Sequence, residues 1–445
     1  MGLFDWLKGM LGGAPPSPTP AAPSPPAAGV RINPFTQEVV QLGIDRRTSA
    51  PSLHAFRYRS SLVRTPPSRE FAAKRPYPSA QRQVYKGWLD LTTDSDPRWL
   101  EHFGLPPLKS PDDLAKWLNV PLGRLNWLSG RYRDGGHPGT AKEAHYHFQV
   151  IPKRSGGARL LEAPKPQLKA IQQRILRDIL DRIPVHSQAH GFSKGRSIVT
   201  NAEPHVGKRI ILKYDLENFY PSVRYNRVVA IFRSIGFSRE VGIWLARLTT
   251  SALPWNTSDI PRLGELSGLE TRGRYWELYG SRHLPQGAAT SPALANLSAY
   301  SLDVRLSGLA RKFDADYTRY ADDITFSGTK RFAGALSDFI PLVERVVRAE
   351  KFVVHKGKRR VLRNNQRQSI TGVVVNSKPN IRREEFDRLK AILHNCLKYG
   401  PSTQNRDRHP RFADHLRGRV AFVSQLNADR GEKLREMYDR IDWRK

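Results

Sequence analysis

An α+β fold is predicted for this chain by three observations. Strand-type and helix-type segments are mixed without the regular βαβ alternation of a doubly wound sheet. Hydrophobic residues make up 39% of the sequence, enough for a real core, and a length of 445 residues favours two or three lobes over one. No internal repeat is visible.

The elements follow in chain order. Leu3, Leu7, Met10 and Leu11 share one face of a short helix. Seven of the twelve residues of "PPSPTPAAPSPP" (Pro15–Pro26) are proline, the composition of a semi-rigid linker. Residues 31–80 are basic and weakly patterned, and the folded sequence is expected from Tyr85. "SPDDLAKWLNVP" carries a helix start, with Ser110 as N-cap, Pro111 in the first turn and Asp113 closing a capping box. Leu114, Trp117 and Leu118 form its apolar face. "FQVIPKRSGGARLLEAP" predicts a hairpin turning at Gly156-Gly157. Leu168, Ile171, Ile175, Ile179 and Ile183 recur at helical spacing. "RIILKYDLENFYPSV" predicts a buried strand running into a loop. "FAGALSDFIPLVERVVRAE" is helical, as are the segments marked by Phe386, Leu389, Leu393 and Leu397 and by Leu434, Met437, Tyr438 and Ile441.

Charge narrows the partner. Lys plus Arg number 73 against 41 Asp plus Glu, a net charge of +32. An excess of this size fits a polyanion, because neutralised phosphates release condensed counterions. Nucleic acid is the expected partner class, a solvated basic surface the plain alternative. The single cysteine, Cys396, excludes a disulfide framework or a Cys-rich zinc module. No apolar run approaches the ~20 residues a bilayer span needs, so no membrane partner is expected. The first residues lack a basic n-region and cleavage site, and Trp6 breaks the myristoylation pattern. A cytoplasmic protein is the simplest expectation.

The chemistry centres on "TRYADDITFSG" (318–328), where Asp322 and Asp323 stand side by side between β-forming runs. A carboxylate pair at a hairpin tip has a use if it binds a divalent metal. Phosphoryl-transfer sites hold two Mg²⁺ ions ~3.5–4 Å apart, one activating the attacking hydroxyl and one steadying the leaving pyrophosphate. Such a site needs another aspartate on a neighbouring strand. Asp215, at the end of the apolar run in "RIILKYDL" and ahead of an aromatic pair, is the best candidate. Taken singly, Asp215 reads better as an ordinary strand-end turn residue and the pair better as a solvated turn. Together, on two buried-type strands 107 residues apart (322 − 215) in a very basic chain, they favour the metal site.

"YADD" (320–323) with "DLENFYPS" (215–222) resembles the catalytic motifs of reverse transcriptases. "LPQGAATSPALANL" (284–297), "VIPKRSGGARLLEAP" (150–164), "AHGFSKGRSI" (189–198) and "HKGKRRVL" (355–362) resemble the family's further motifs in the expected order. The likeness covers about residues 145–445. It implies a right-hand polymerase fold of fingers, palm and thumb. Within the family, "NAEPH" (201–205), "ITGVVVN" (370–376) and "HLRGRVAFVSQLN" (415–427) resemble signatures of the retron branch. The departures are Ile370 where Val is usual, His355 where Asn is common, and the Pro-rich extension, which leaves residues 1–80 outside the likeness.

The resemblance implies roles residue by residue. Asp215 and Asp322 would bind both Mg²⁺ ions with the Leu216 carbonyl, and Asp323 would be a more peripheral third carboxylate. Tyr220 matches the steric gate that excludes a 2′-OH. Lys153 and Arg159 would hold triphosphate oxygens, Arg through its bidentate fork. Gln286 and Gly287 match positions that meet the nucleotide sugar and primer, and Lys358 a general acid toward pyrophosphate. Lys351–Arg367 carries seven Lys or Arg and no acid, a phosphate-tracking surface that includes Arg359 and Arg360. Thr371 and Gly372 are candidate RNA contacts. Asn201 and His205 either contact RNA or brace the loop before the Asp215 strand.

The expected organisation is a basic extension over 1–80, an N-terminal helical region over 81–140, fingers and palm over 141–370, and a thumb that recognises RNA over 371–445. The implied activity is RNA-directed DNA polymerisation from dNTPs. A retron-type enzyme copies part of its own structured non-coding RNA into single-stranded DNA (msDNA), primed from an internal RNA 2′-OH. Its expected role is anti-phage defence, with a separate effector protein. The alternatives are another bacterial reverse transcriptase, of group II intron or abortive-infection type, and an RNA-binding scaffold with a dead palm.

Overall fold

A computed structural model describes residues 30–32, 39–41, 70–78, 80–83, 87–130, 137–153, 157–267 and 278–443. The expected helix around Leu3–Leu11, the Pro15–Pro26 linker and Gly156 lie outside the described residues. The chain divides into two compact units, one from the described residues up to His186 together with Asn218–Gly308, the other from Ser187–Glu217 with Leu309–Lys445. Helices and antiparallel strands are mixed throughout, the predicted α+β class.

In the first unit an antiparallel strand pair, Val30–Ile32 with Val39–Gln41, is followed by a three-stranded sheet in which Gly87–Asp90 pairs with both Glu70–Ala72 and Gln81–Gln83. The sequence predicts helix here and a later start. Three-residue strands such as "QRQ" are too short to show an alternation, so the pattern is silent. The capping box forms as expected. Asp113 N–H donates to Ser110 Oγ at 3.2 Å, and Ser110 N–H to Asp113 Oδ2 at 3.0 Å. The Pro111–Leu118 helix buries Leu114 and Leu118.

The predicted hairpin pairs Tyr146–Pro152 with Ala158–Pro164, and Lys153 N–H donates to Gly157 O at 2.9 Å to close the turn. Gly157 has φ +73°, a conformation that glycine adopts without a Cβ penalty. Val150 and Leu160 pack with Leu253, Ile260 and Tyr279. The following helix, Pro166–Asp178, ends earlier than the spacing suggests. A 3₁₀ turn, Leu180–Arg182, continues it and still buries Ile179 and Ile183.

The second unit is built on a four-stranded antiparallel sheet in the order Arg360–Arg363, Ile210–Asp215, Asp323–Gly328, Ala315–Tyr320. Ile210, Ile211, Leu212, Ile324 and Phe326 are fully buried, which explains near-continuous apolar runs instead of alternation. Helix Leu336–Ala349 packs Phe339 edge-on to Phe326 and Phe332. A second core joins Val199, Ala202 and Ile211 to Ile370, Val373, Leu389, Leu393, Val420 and Leu434. Helices Phe412–Leu426 and Ala428–Asp439 meet so closely that a Cβ on Gly431 would lie 2.3 Å from Ser424 Cα. Ile441, expected within the last helix, is buried just beyond it.

Candidate active site

The two central strands of this sheet bring the aspartates together. Asp323 is the direct cross-strand partner of Asp215, and Ile324 of Tyr214. Asp323 also pairs with Tyr320, so Ala321 and Asp322 form a two-residue turn. Ala321 has φ +55°, an uncommon choice outside glycine, asparagine and aspartate. Three contacts hold the turn. The buried Arg319 donates from Nη1 to Ala321 O at 2.9 Å. Leu216 N–H donates to Asp322 O at 3.0 Å. Gly191 lies so close beneath that a Cβ there would sit 2.5 Å from Ala321 N. Gln188–Gly191 runs parallel to the Ala315–Tyr320 strand, exchanging backbone hydrogen bonds with Arg319 at 2.8 Å. That is what "AHGF" does: it supplies a side-chain-free backbone under the turn. Sequence reasoning missed Arg319 and Gly191; the available signal was an arginine inside an otherwise buried strand.

The electrostatics follow from this packing. Asp322 is raised to about 6, first by burial and then by the adjacent Asp323 carboxylate. Asp323 is also raised, chiefly by burial. Crowded, half-desolvated carboxylates are short of positive charge. Lys358 supplies some of it, with Nζ donating to Oδ1 and Oδ2 of Asp215 at 3.1 Å each. His355 donates its backbone N–H to Asp215 O at 2.8 Å, a contact any residue but proline makes.

No group of three or more His, Cys, Asp or Glu side chains among the described residues stands ready-made to hold a metal ion. Asp215 is turned to Lys358 instead. The donor set nevertheless fits Mg²⁺, which takes hard oxygens, usually one or two protein carboxylates completed by substrate phosphate. Asp215, Asp322 and Asp323 offer carboxylates within one cross-strand pair and one turn, and the raised pKa of Asp322 goes with a spot where a cation would be favoured.

The remaining predicted residues are placed as follows. His205 is fully buried, with Nδ1 2.6 Å from Ser327 Oγ and Nε2 2.8 Å from Thr318 Oγ1. Thr318 donates its hydroxyl to Asn201 O at 3.3 Å, so it accepts from Nε2–H. Burial lowers this histidine to about 3. Asn201 is 1% exposed and donates to Thr371 Oγ1 at 3.4 Å. Neither side chain has surface for an RNA contact, and both leave the set of candidate RNA-binding residues; their geometry is that of a brace. Thr371 and Gly372 form the two-residue turn between Ser369–Ile370 and Val373–Val374, with φ +46° and +90°. Positive φ at both positions is the type I′ hairpin signature, which accounts for Gly372 but leaves Thr371, a β-branched residue, in an unfavourable conformation. Gly372 is exposed. Arg359 is paired with Glu344 at 2.9 Å, while Arg360 is exposed on the sheet edge.

In the first unit, Tyr220 is half-buried in the short helix Phe219–Ser222. Gln286 O accepts from Glu162 N–H at 2.8 Å, and a Cβ on Gly287 would lie 3.1 Å from Glu162 O, so the "PQG" loop is laid directly on the hairpin. Beneath it, the buried Glu162 carboxylate meets His283 Nε2 at 2.8 Å, a pair the sequence did not reveal. Lys153 and Arg159 are exposed on the hairpin.

Residues 151–375 match the reverse transcriptase (RNA-dependent DNA polymerase) family. The chain belongs to the reverse transcriptase family. Its relatives place it in the retron branch. It is 39% identical over 363 residues to the retron Mx65 reverse transcriptase of Myxococcus xanthus, covering 81% of this chain and 78% of that one. It is 36% identical to the retron Mx162 reverse transcriptase of the same organism, covering 74% and 66%. It is 28% identical to the retron Ec86 reverse transcriptase of Escherichia coli, covering 75% and 90%. The fold is therefore the right-hand polymerase fold of this family, and the activity is RNA-directed DNA polymerisation. No helix among the described residues is long and apolar enough to cross a membrane.

Proposed function

We propose that this reverse transcriptase copies part of its own structured non-coding RNA into single-stranded DNA, starting from an internal 2′-OH of that RNA, through a two-Mg²⁺ site. The observation that carries the site is the cross-strand pairing of Asp215 with Asp323, with Asp322 on the adjoining turn. Asp215, Asp322 and the Leu216 carbonyl would hold the ions, with Asp323 at the margin. When bound, Mg²⁺ supplies activation of the attacking hydroxyl and neutralisation of the leaving pyrophosphate.

The chain's own groups do the rest. Lys358, released from Asp215, carries a proton and a positive charge to the leaving pyrophosphate. Tyr220 fills the space where a 2′-OH would sit, selecting dNTPs. Gln286 and Gly287 position the nucleotide sugar and primer, and Lys153 and Arg159 hold the triphosphate. Arg360 and the exposed cations near it track phosphates, and Thr371-Gly372 with the helices over 371–445 recognise the cognate RNA. Anti-phage defence, with a separate effector protein, is the biological role that goes with this reading.

The test is a search for a branched product. The purified chain is incubated with RNAs transcribed from DNA flanking its gene, dNTPs and Mg²⁺. One RNA should yield DNA that keeps a ribonucleotide attached through its 2′-oxygen after ribonuclease digestion. Products that start only from free 3′ ends would point to a different kind of bacterial reverse transcriptase.

A further inference from the structure

We propose that Phe192 is a stacking shelf for the unpaired template base about to be copied. The proposal rests on the reading of Asp215, Asp322 and Asp323 as the catalytic carboxylates.

Phe192 is 59% exposed and has φ +57°. A bulky residue in the left-handed region is a genuine outlier, and such strain persists only where the surroundings impose it, most often at functional sites. The surroundings here are specific. Gly191, one residue earlier, is packed under the Ala321–Asp322 turn. Because Gln188–Gly191 runs parallel to Ala315–Tyr320, the chain emerges at the carboxylate end of the sheet. The Phe192 ring lies 6.2 Å from the Tyr320 ring, centroid to centroid, tilted by 44°. Burial does not explain an aromatic so placed.

The next residues add cations. Arg196 N–H donates to Ser193 O at 3.1 Å and Gly195 has φ +73°, so Ser193–Arg196 is a tight turn. Lys194 and Arg196 are both exposed on it. An aromatic face beside cations is how proteins hold single-stranded nucleic acid, the ring taking a base and the cations the backbone.

The sheet order selects the strand. The growing strand must end at the carboxylates on the two central strands. One edge of the sheet, Arg360–Arg363, is suited to phosphates. The other edge, beyond Ala315–Tyr320, is the one with the aromatic. With strands ~4.8 Å apart, Gln188–Gly191 lies three positions or about 14 Å from the Asp215 strand. That offset puts Phe192 under the strand being read. Paired bases are covered on both faces, whereas the next base to be copied has one face free.

The test places 2-aminopurine at the first unpaired template position of a primed RNA template and compares full-length proteins. The wild type should quench the probe, Phe192→Ala should lose the quench, and Phe192→Trp should restore it. The dissociation constant for this template should rise roughly 5- to 100-fold in Phe192→Ala. Phe192→Gly, which removes the strained side chain, should melt no lower than wild type while losing the quench. Asp322→Asn should keep the quench and lose extension, which separates stacking from chemistry. An unchanged quench in Phe192→Ala, or a Phe192-dependent signal only when the probe is in the paired primer, would overturn the proposal. Extension by Asp322→Asn would instead overturn the catalytic reading.

Discussion

Asp215 and Asp323 face each other across the two central strands of the sheet, so each strand ends on a carboxylate opposed to another carboxylate. Like charges directly opposite on a sheet destabilise it by a few tenths to ~1 kcal/mol. Asp323→Asn should therefore raise the melting temperature in the absence of divalent ions. Mg²⁺ should stabilise the wild type more than this variant. Thermal melts with and without Mg²⁺ check both statements, and a variant that melts lower without Mg²⁺ contradicts the repulsion.

Gly191 supports the turn from below. A Cβ there meets Ala321 N at 2.5 Å, and backbone on both sides leaves little room to yield. Gly191→Ala should cost about 1–3 kcal/mol, the usual range for overpacking. It should also depress DNA synthesis by displacing Asp322. Chemical denaturation and primer extension on one preparation test this; normal extension would mean the turn tolerates the shift.

His205 gives a pH dependence. Its folded-state value is lowered to about 3 from an ordinary 6.5, mainly by burial, so between those values the unfolded chain binds the extra proton. Stability should thus fall as pH drops below about 6.5, by up to ~1.4 kcal/mol per pH unit for one proton. His190, lowered to about 4 by burial, acts in the same direction. His205→Gln should flatten part of this slope in denaturant titrations between pH 6.5 and 4, with His190 leaving a remainder. An unchanged slope would mean that His205 is not a neutral brace.

Tyr220→Ala should admit ribonucleotides, with deoxynucleotide use falling less. The ratio of kcat/KM for the two nucleotide classes should shift by about tenfold to a hundredfold. An unchanged ratio would make Tyr220 a packing residue.

The sequence was most informative where one physical demand acts on a short segment. The Asp322-Asp323 tip, the Ser110 cap and the hairpin ending at Gly157 each follow from local chemistry, and the structure shows each. It was silent where the reason is remote. Gly191 is small because Ala321 lies above it, 130 residues later (321 − 191). Asn201 and His205 have side chains typical of RNA contacts, yet their partners are Thr371, Thr318 and Ser327. The division near 370 was read from motif order, while packing joins Val199 and Ile211 to the C-terminal helices in one core.

The central claim is that Asp322 holds catalytic metal at this turn. Primer extension and RNA affinity measured on the same preparation of Asp322→Asn test it most directly. The substitution removes a metal ligand and no phosphate contact, so DNA synthesis should be abolished while RNA affinity stays close to wild type. Near-normal extension by Asp322→Asn would contradict the account.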